Sequence, residues 1–148
     1  MSENDTQLNE QAIAERVAEV MYKDDIAAQH LGICIEEVGP GYSKLTMTVG
    51  PEMINGHDIC HGGMTFSLAD TAFAYACNSR NEATVAAGCS IEFLAPAMKG
   101  AKLTAVARET AKRGRQGVYD MTVTDDDGNV IAVMRGKSAS LRRPVFED

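Results

Sequence analysis

The chain has no tryptophan, and only four phenylalanines and four tyrosines among its 148 residues. Its core must therefore be mainly aliphatic, with the eight methionines filling irregular gaps. No apolar run approaches the roughly 18 residues of a membrane-crossing helix. The opening MSENDTQLNE lacks the basic and apolar regions of a secretory signal. Basic side chains are in the minority, 14 Lys plus Arg against 21 Asp plus Glu, for a formal charge of −7. A nucleic-acid binder neutralises phosphates with a basic face, so this balance speaks against that class, a local patch aside. The four cysteines, Cys34, Cys60, Cys77 and Cys89, form no CxxC pair and no dense framework. They read as reduced thiols of a cytoplasmic protein. What is present, 45% apolar residues in 148, suits one buried core and one domain.

Along the chain, Leu8, Ala12, Ile13, Val17, Val20 and Met21 fall at helical spacing within 8–22. A short second helix runs from Asp24 to His30 and ends at Gly32. From there the period changes to two. Leu45, Met47 and Val49 alternate with Lys44, Thr46 and Thr48 after a Pro40-Gly41 turn, and 33–38 forms the hairpin partner. Residues 50–60 read as a loop. Then 61–80 carries Phe66, Ala69, Phe73, Ala76 and Cys77 on one stripe and is apolar nearly all round, which predicts a buried helix. Four strands follow at 84–95, 102–110, 116–125 and 129–141. The fold class expected is α+β, about six antiparallel strands curled around one central helix, with an extra N-terminal helix.

The chemistry concentrates on the 61–80 helix. Asp70 sits among Leu68, Ala69, Ala72 and Phe73, where an ionised carboxylate is costly unless it is paired or used. A desolvated carboxylate gains basicity, which suits a general base or a nucleophile. A carboxylate at the polar edge of the helix is the plainer alternative. At the helix start, His61-Gly62-Gly63 puts bare backbone where the first N–H groups lack partners and the dipole is positive. That suits an oxyanion hole, and equally a tight turn. Gly62 and Asp70 are eight residues apart, roughly 12 Å along a helix. One carbonyl cannot touch both, so joint action requires the Gly62 of a second subunit and a homodimer. Asn55, in the preceding Asn-Gly turn, offers an amide to a carbonyl or a water.

Rival sites are weaker. His57, Cys60 and His61 resemble zinc ligands, but the glycines break the helix that such spacing needs and no fourth ligand is evident. Cys60 and His61 resemble a nucleophile–base pair, but adjacent side chains diverge. In a calcium-loop register from Asp125, Val130 replaces the turn glycine and Gly136 the closing Glu, so the acidic run reads as a hairpin turn. Lys112, Arg113 and Arg115, with Arg135 and Lys137, form a late basic cluster that suits phosphates or simply solvent.

Asn55-Gly56-His57, Cys60-His61-Gly62-Gly63 and the run Phe66 to Asn78 closely resemble the hotdog-fold acyl-CoA thioesterases. Within them, the resemblance is to the phenylacetic acid degradation type. It extends to Phe93-Leu94 with Pro96, to Gly117-Val118-Tyr119-Asp120 and to Arg135-Gly136-Lys137-Ser138, covering about residues 20–140. It implies a single hotdog domain over 23–143, an N-terminal helical extension at 1–22 and a tail at 144–148. It implies hydrolysis of an aryl-acetyl-CoA, such as phenylacetyl- or hydroxyphenylacetyl-CoA, in phenylacetate catabolism, with no metal or prosthetic group. Asp70 falls on the catalytic carboxylate, Gly62 on the oxyanion amide, Asn55 on the orienting amide and His61 on the neighbouring histidine of variable role. Gly63, Thr71 and the five basic residues are candidates for substrate and CoA contacts. Dimers with sites across the interface, paired into tetramers, are the implied assembly. The chain departs from some relatives in carrying Ala74 and Ala86 where they hold a hydroxyl. An acyl dehydratase and a non-catalytic acyl-CoA binder are the alternatives.

Overall fold

The computed structural model describes residues 2–147; side chains of residues 4–8, Leu8 among them, lie outside the description. The elements are α1 (Glu3–Asp24), α2 (Ile26–His30), β1 (Cys34–Gly39), β2 (Tyr42–Thr48), α3 (Gly62–Cys77), β3 (Thr84–Phe93), β4 (Lys102–Arg113), β5 (Gln116–Thr124) and β6 (Val130–Ser140). The six strands form one sheet in the order β1-β2-β4-β5-β6-β3, every neighbouring pair antiparallel. Alternation sets its faces. Leu45 and Met47, Leu103, Ala105 and Ala107, and Tyr119, Met121 and Val123 are all buried against α3, while the residues between them face outward.

Two contacts seat α3 on the sheet. The Phe73 and Tyr119 rings meet edge to face at 5.4 Å between centroids. Gly136 makes room for Phe73, because a Cβ there would lie 2.9 Å from the ring. At the other end Asp25 caps α2 by accepting the Ala28 N–H and also accepts the Tyr75 hydroxyl of α3.

Neither end of the described chain hangs free of the domain. On α1 Val17 is buried and Met21 packs against the core as expected, joined by Ala14 and Ala18, whereas Ala12 and Ile13 are exposed, Ile13 at 37%. Helix α1 is fastened by Gln11 to the Val38 carbonyl and by the Tyr22 hydroxyl to the Ile33 carbonyl. The segment expected as a tail is held at 145–146: Asn81 Oδ1 accepts both the Val145 and Phe146 N–H groups. The Arg16 guanidinium lies over the Phe146 ring at 5.8 Å. Asn81, at φ 61°, supplies the left-handed turn this clamp needs.

Helix α3 is not buried all round within one chain. Thr65, Leu68, Ala69, Ala72, Phe73 and Ala76 face the sheet, whereas Met64, Ser67, Asp70, Thr71 and Ala74 form a half-exposed stripe. Phe66 lies on the flank rather than in the core. Beside that stripe, the edge strand β3 is exposed along most of its length, with Val85 47% and Phe93 53% accessible, and Leu94 just beyond it 63%.

Candidate active site

The first turn of α3 commits nearly every amide it has. The His61 N–H donates to the Met53 carbonyl at 2.7 Å. The Gly63 N–H donates to His61 Nδ1 at 2.9 Å, making His61 the N-cap residue. The Met64 and Thr65 N–H groups both reach the His61 carbonyl, at 2.8 and 3.3 Å. Among the described residues, the Gly62 N–H alone in this turn has no acceptor, and it sits at the positive end of the helix dipole. The motif thus separates two glycines that look equivalent in sequence. Gly63, expected as a substrate contact, has its amide already taken.

The free amide borders a cavity of about 530 Å³ lined by Asn55, Ile59, Cys60, Gly62, Thr65, Phe93, Leu94, Pro96, Ala97 and Ile131. Its wall is mostly apolar, which suits an acyl group over a charged one. The Phe93 ring covers Gly62 so closely that a Cβ there would lie 3.3 Å from it. Asn55 stands at the rim in the loop where Ile54 bridges Cys60. Its Oδ1 accepts the His57 N–H at 2.9 Å, holding a turn that places Asp58 at φ 60°. Its Nδ2 amide donates to no described group, so the residue serves as turn former and keeps a donor in hand.

Asp70 lies two turns farther along α3 and does not line this cavity. It is half-buried, carries no hydrogen bond or ion pair to a described residue, and burial raises its carboxyl above its ordinary value. On the same helix, burial pushes the Cys77 thiol up to about 12, and the Asp70 charge adds to the rise. Thr71, the next residue, is likewise half-buried. Its hydroxyl donates to the Ser67 carbonyl one turn back, which leaves only its acceptor side for a ligand.

The five basic candidates divide. Arg135 is held by Asp120 in a two-pronged pair at 2.8 and 2.9 Å, and that hydrogen bonding takes the Asp120 carboxyl down to about 2. Lys112 pairs with Glu82 at 3.3 Å, and Arg115 donates to the Ser140 carbonyl. Arg113 and Lys137 are exposed cations with no described partner. Lys137 and Arg135 border a shallow hollow against Gly88 and Ser90 of β3.

The rival sites do not assemble. Cys60 Sγ takes the Thr65 hydroxyl at 3.5 Å, and His61 Nδ1 is occupied by the Gly63 amide, so the two make no nucleophile–base pair. Asp125 Oδ1 accepts the Asp127 and Asn129 N–H groups, and Asp126 Oδ1 accepts that of Lys102. Among the described residues no group of three or more His, Cys, Asp or Glu side chains is placed to hold a metal.

The cavity walls at Ile59, Leu94, Ala97 and Ile131, and the role of Phe93 over Gly62, escape sequence reasoning. They come from three separate segments. The one available signal is Phe93-Leu94-Ala95-Pro96, an apolar run that leaves an edge strand without burying itself.

A thioesterase superfamily profile matches residues 57–132. The acyl-coenzyme A thioesterase PaaI of Escherichia coli (strain K12) is 48% identical over 121 residues, spanning 82% of this chain and 86% of that protein. A putative esterase of Archaeoglobus fulgidus is 39% identical over 124 residues, 84% of this chain and 80% of that one. The solved structure of the E. coli PaaI protein from the phenylacetic acid degradation operon superposes with a TM-score of 0.89 at 44% identity, covering 90% of this chain and 97% of that one.

Proposed function

The chain belongs to the thioesterase superfamily and has the hotdog fold, and on that premise we propose that it hydrolyses acyl-CoA thioesters, aryl-acetyl-CoA esters foremost. The observation that carries the reading is the single uncommitted amide, Gly62 N–H, at the head of α3 beside an apolar cavity. It is the donor a developing oxyanion requires, fixed before the substrate arrives. Asn55 Nδ2 orients the carbonyl or the attacking water from the rim.

Asp70 supplies the basicity. Either it takes a proton from water as that water attacks, or its carboxylate attacks and the resulting anhydride is hydrolysed. In the first route the tetrahedral intermediate collapses with loss of the CoA thiolate, which receives the proton Asp70 took from water. In the second the thiolate leaves as the anhydride forms and is protonated by the water that then hydrolyses the anhydride and frees the Asp70 carboxylate. Its distance from Gly62 along one helix means that the Asp70 of one protomer serves the Gly62 of its partner. The half-exposed stripe of α3 and the accessible β3 edge support such a dimer, since each exposes apolar surface or unpaired backbone that a second copy would cover. Dimers pairing into tetramers is the assembly we assign. Arg113 and Lys137 remain to meet the CoA phosphates, with Arg135 available only by leaving Asp120. The protein acts in the cytoplasm on esters of phenylacetate catabolism.

Thiol release from phenylacetyl-, hydroxyphenylacetyl-, benzoyl- and straight-chain acyl-CoA, with Asp70→Asn as control, tests the reading. Release from aryl-acetyl esters that the variant abolishes is expected. Release only from straight-chain esters would discard the aryl preference, and release from none would discard hydrolysis.

A further inference from the structure

We propose that His61 is a positioning residue whose work is to select Gly62 as the one free amide, by closing off its neighbour. The inference rests on the hydrolytic reading of the Gly62 site. A helix begins with several unpartnered N–H groups, and an anion approaching them has no reason to prefer one. Here the imidazole folds back over the first turn, and Nδ1 accepts the Gly63 N–H at 2.9 Å. The backbone of His61 is extended, at φ −58° and ψ 133°, which is the geometry that lets an N-cap side chain reach two residues ahead. Its own carbonyl meanwhile takes both Met64 and Thr65. One residue therefore accounts for three of the amides around Gly62.

This arrangement explains both glycines. A Cβ at Gly63 would stand 3.0 Å from His61 Nδ1 and push the imidazole off its amide. At Gly62 a Cβ would instead lie 3.3 Å from the half-exposed Phe93 ring, which must yield by a few tenths of an ångström, so the two positions crowd different neighbours. The cap also fixes the neutral imidazole tautomer: with Nδ1 as acceptor, the ring proton resides on Nε2. A residue locked in this way serves the reaction by holding the donor still, since small misplacements of a catalytic group cost large factors in rate.

The variants His61→Ala, His61→Asn and Gly63→Ala test the inference. H61A is expected to lower kcat about 10- to 100-fold with KM nearly constant, and to lower Tm by about 2–4 °C. H61N, whose side-chain oxygen caps the same amide but neither donates nor accepts a titrating proton, is expected to recover most of that loss. G63A is expected to match H61A, and the double variant to be no slower than either. An H61N variant as slow as H61A, or losses that multiply in the double variant, would overturn the inference. An activity-independent readout separates its failure from failure of the hydrolytic reading. Nitrogen-15 spectra of the wild-type imidazole should show the proton on Nε2, and Gly63 amide exchange should be slow and accelerate in H61A. A proton on Nδ1, or a Gly63 amide that exchanges freely in the wild type, would sink the cap even for a chain that cleaves no ester.

Discussion

At residue 62 the chain has settled all the amides around it but one; two turns farther along the same helix, the Asp70 carboxylate has no partner among the described residues. The first region is complete within one protomer. Its turn is capped, its cavity walled and its single free donor fixed by neighbours in sequence. The second is an unpartnered carboxylate on a stripe that one protomer leaves half open. On the proposed reading, oxyanion stabilisation would be a local property of one loop and one helix turn, and the base a property of an assembly, its desolvation deepening once a second copy covers the stripe.

Several measurements would break or sharpen that contrast. The largest effect is expected at Asp70. Asp70→Asn keeps the shape and removes the basicity, and kcat should fall by about 10²–10⁴-fold in thiol-release assays. The acid limb of wild-type kcat/KM should be displaced upward from the ordinary aspartate value, because burial raises this carboxyl. Next comes Gly62→Pro. Proline is tolerated at the first helical position, and His61 already has the extended backbone that precedes proline, so the substitution deletes the donor and spares the helix. It should cost about 10²–10³ in kcat with an unchanged circular dichroism spectrum.

Mixing those two inactive variants tests the division of labour itself. Subunit exchange between D70N and G62P would give hybrid dimers with one intact site, and about a quarter of wild-type activity should return for sites spanning a two-fold interface. No recovery under conditions where exchange is demonstrated would confine the chemistry to one protomer. A smaller effect is expected at the CoA end: Lys137→Ala should raise KM severalfold with kcat little changed, the difference shrinking as salt is added.

The smallest effect is on stability. Because the folded state raises the Asp70 carboxyl, the ionised form is disfavoured by folding. Its penalty is absent below the unfolded carboxylate value near 3.8, grows as pH rises towards the folded one, and is fully present above it. Asp70→Asn should therefore melt slightly higher than wild type at pH 7, and the gap should close at pH 3 in parallel thermal scans. A gap of the opposite sign would mean that a partner already stabilises the carboxylate.

Much of this was legible in the residues. The strand alternation of Leu45, Met47 and Val49 and the later strands matched their observed positions within a few residues, because burial on one face imposes a period of two. The unusual setting of Asp70 was legible because a charge among alanines and aromatics is locally costly. On α1 the buried face was legible at Val17 and Met21 but not at Ala12 and Ile13, which are as apolar as Ala14, and only the position of β1 chooses between them. Arg135 read as a phosphate ligand because its partner Asp120 lies on the next strand, fifteen residues away, and only strand pairing brings the two opposite each other.

By itself, the sequence determined those features that arise from neighbours along the chain. They are the one-domain α+β order, the helix beginning at two glycines, the carboxylate stranded on an apolar helix, and the length of helix that keeps it from the glycine. Tertiary structure decided what depends on segments distant in sequence. It set Phe93 over Gly62, built the cavity from three separate stretches, paired Arg135 with Asp120 and tied the last residues to Asn81. It also decided which of two adjacent glycines keeps its amide free. That choice depends on the direction in which one imidazole folds, and a run of letters carries spacing but not direction.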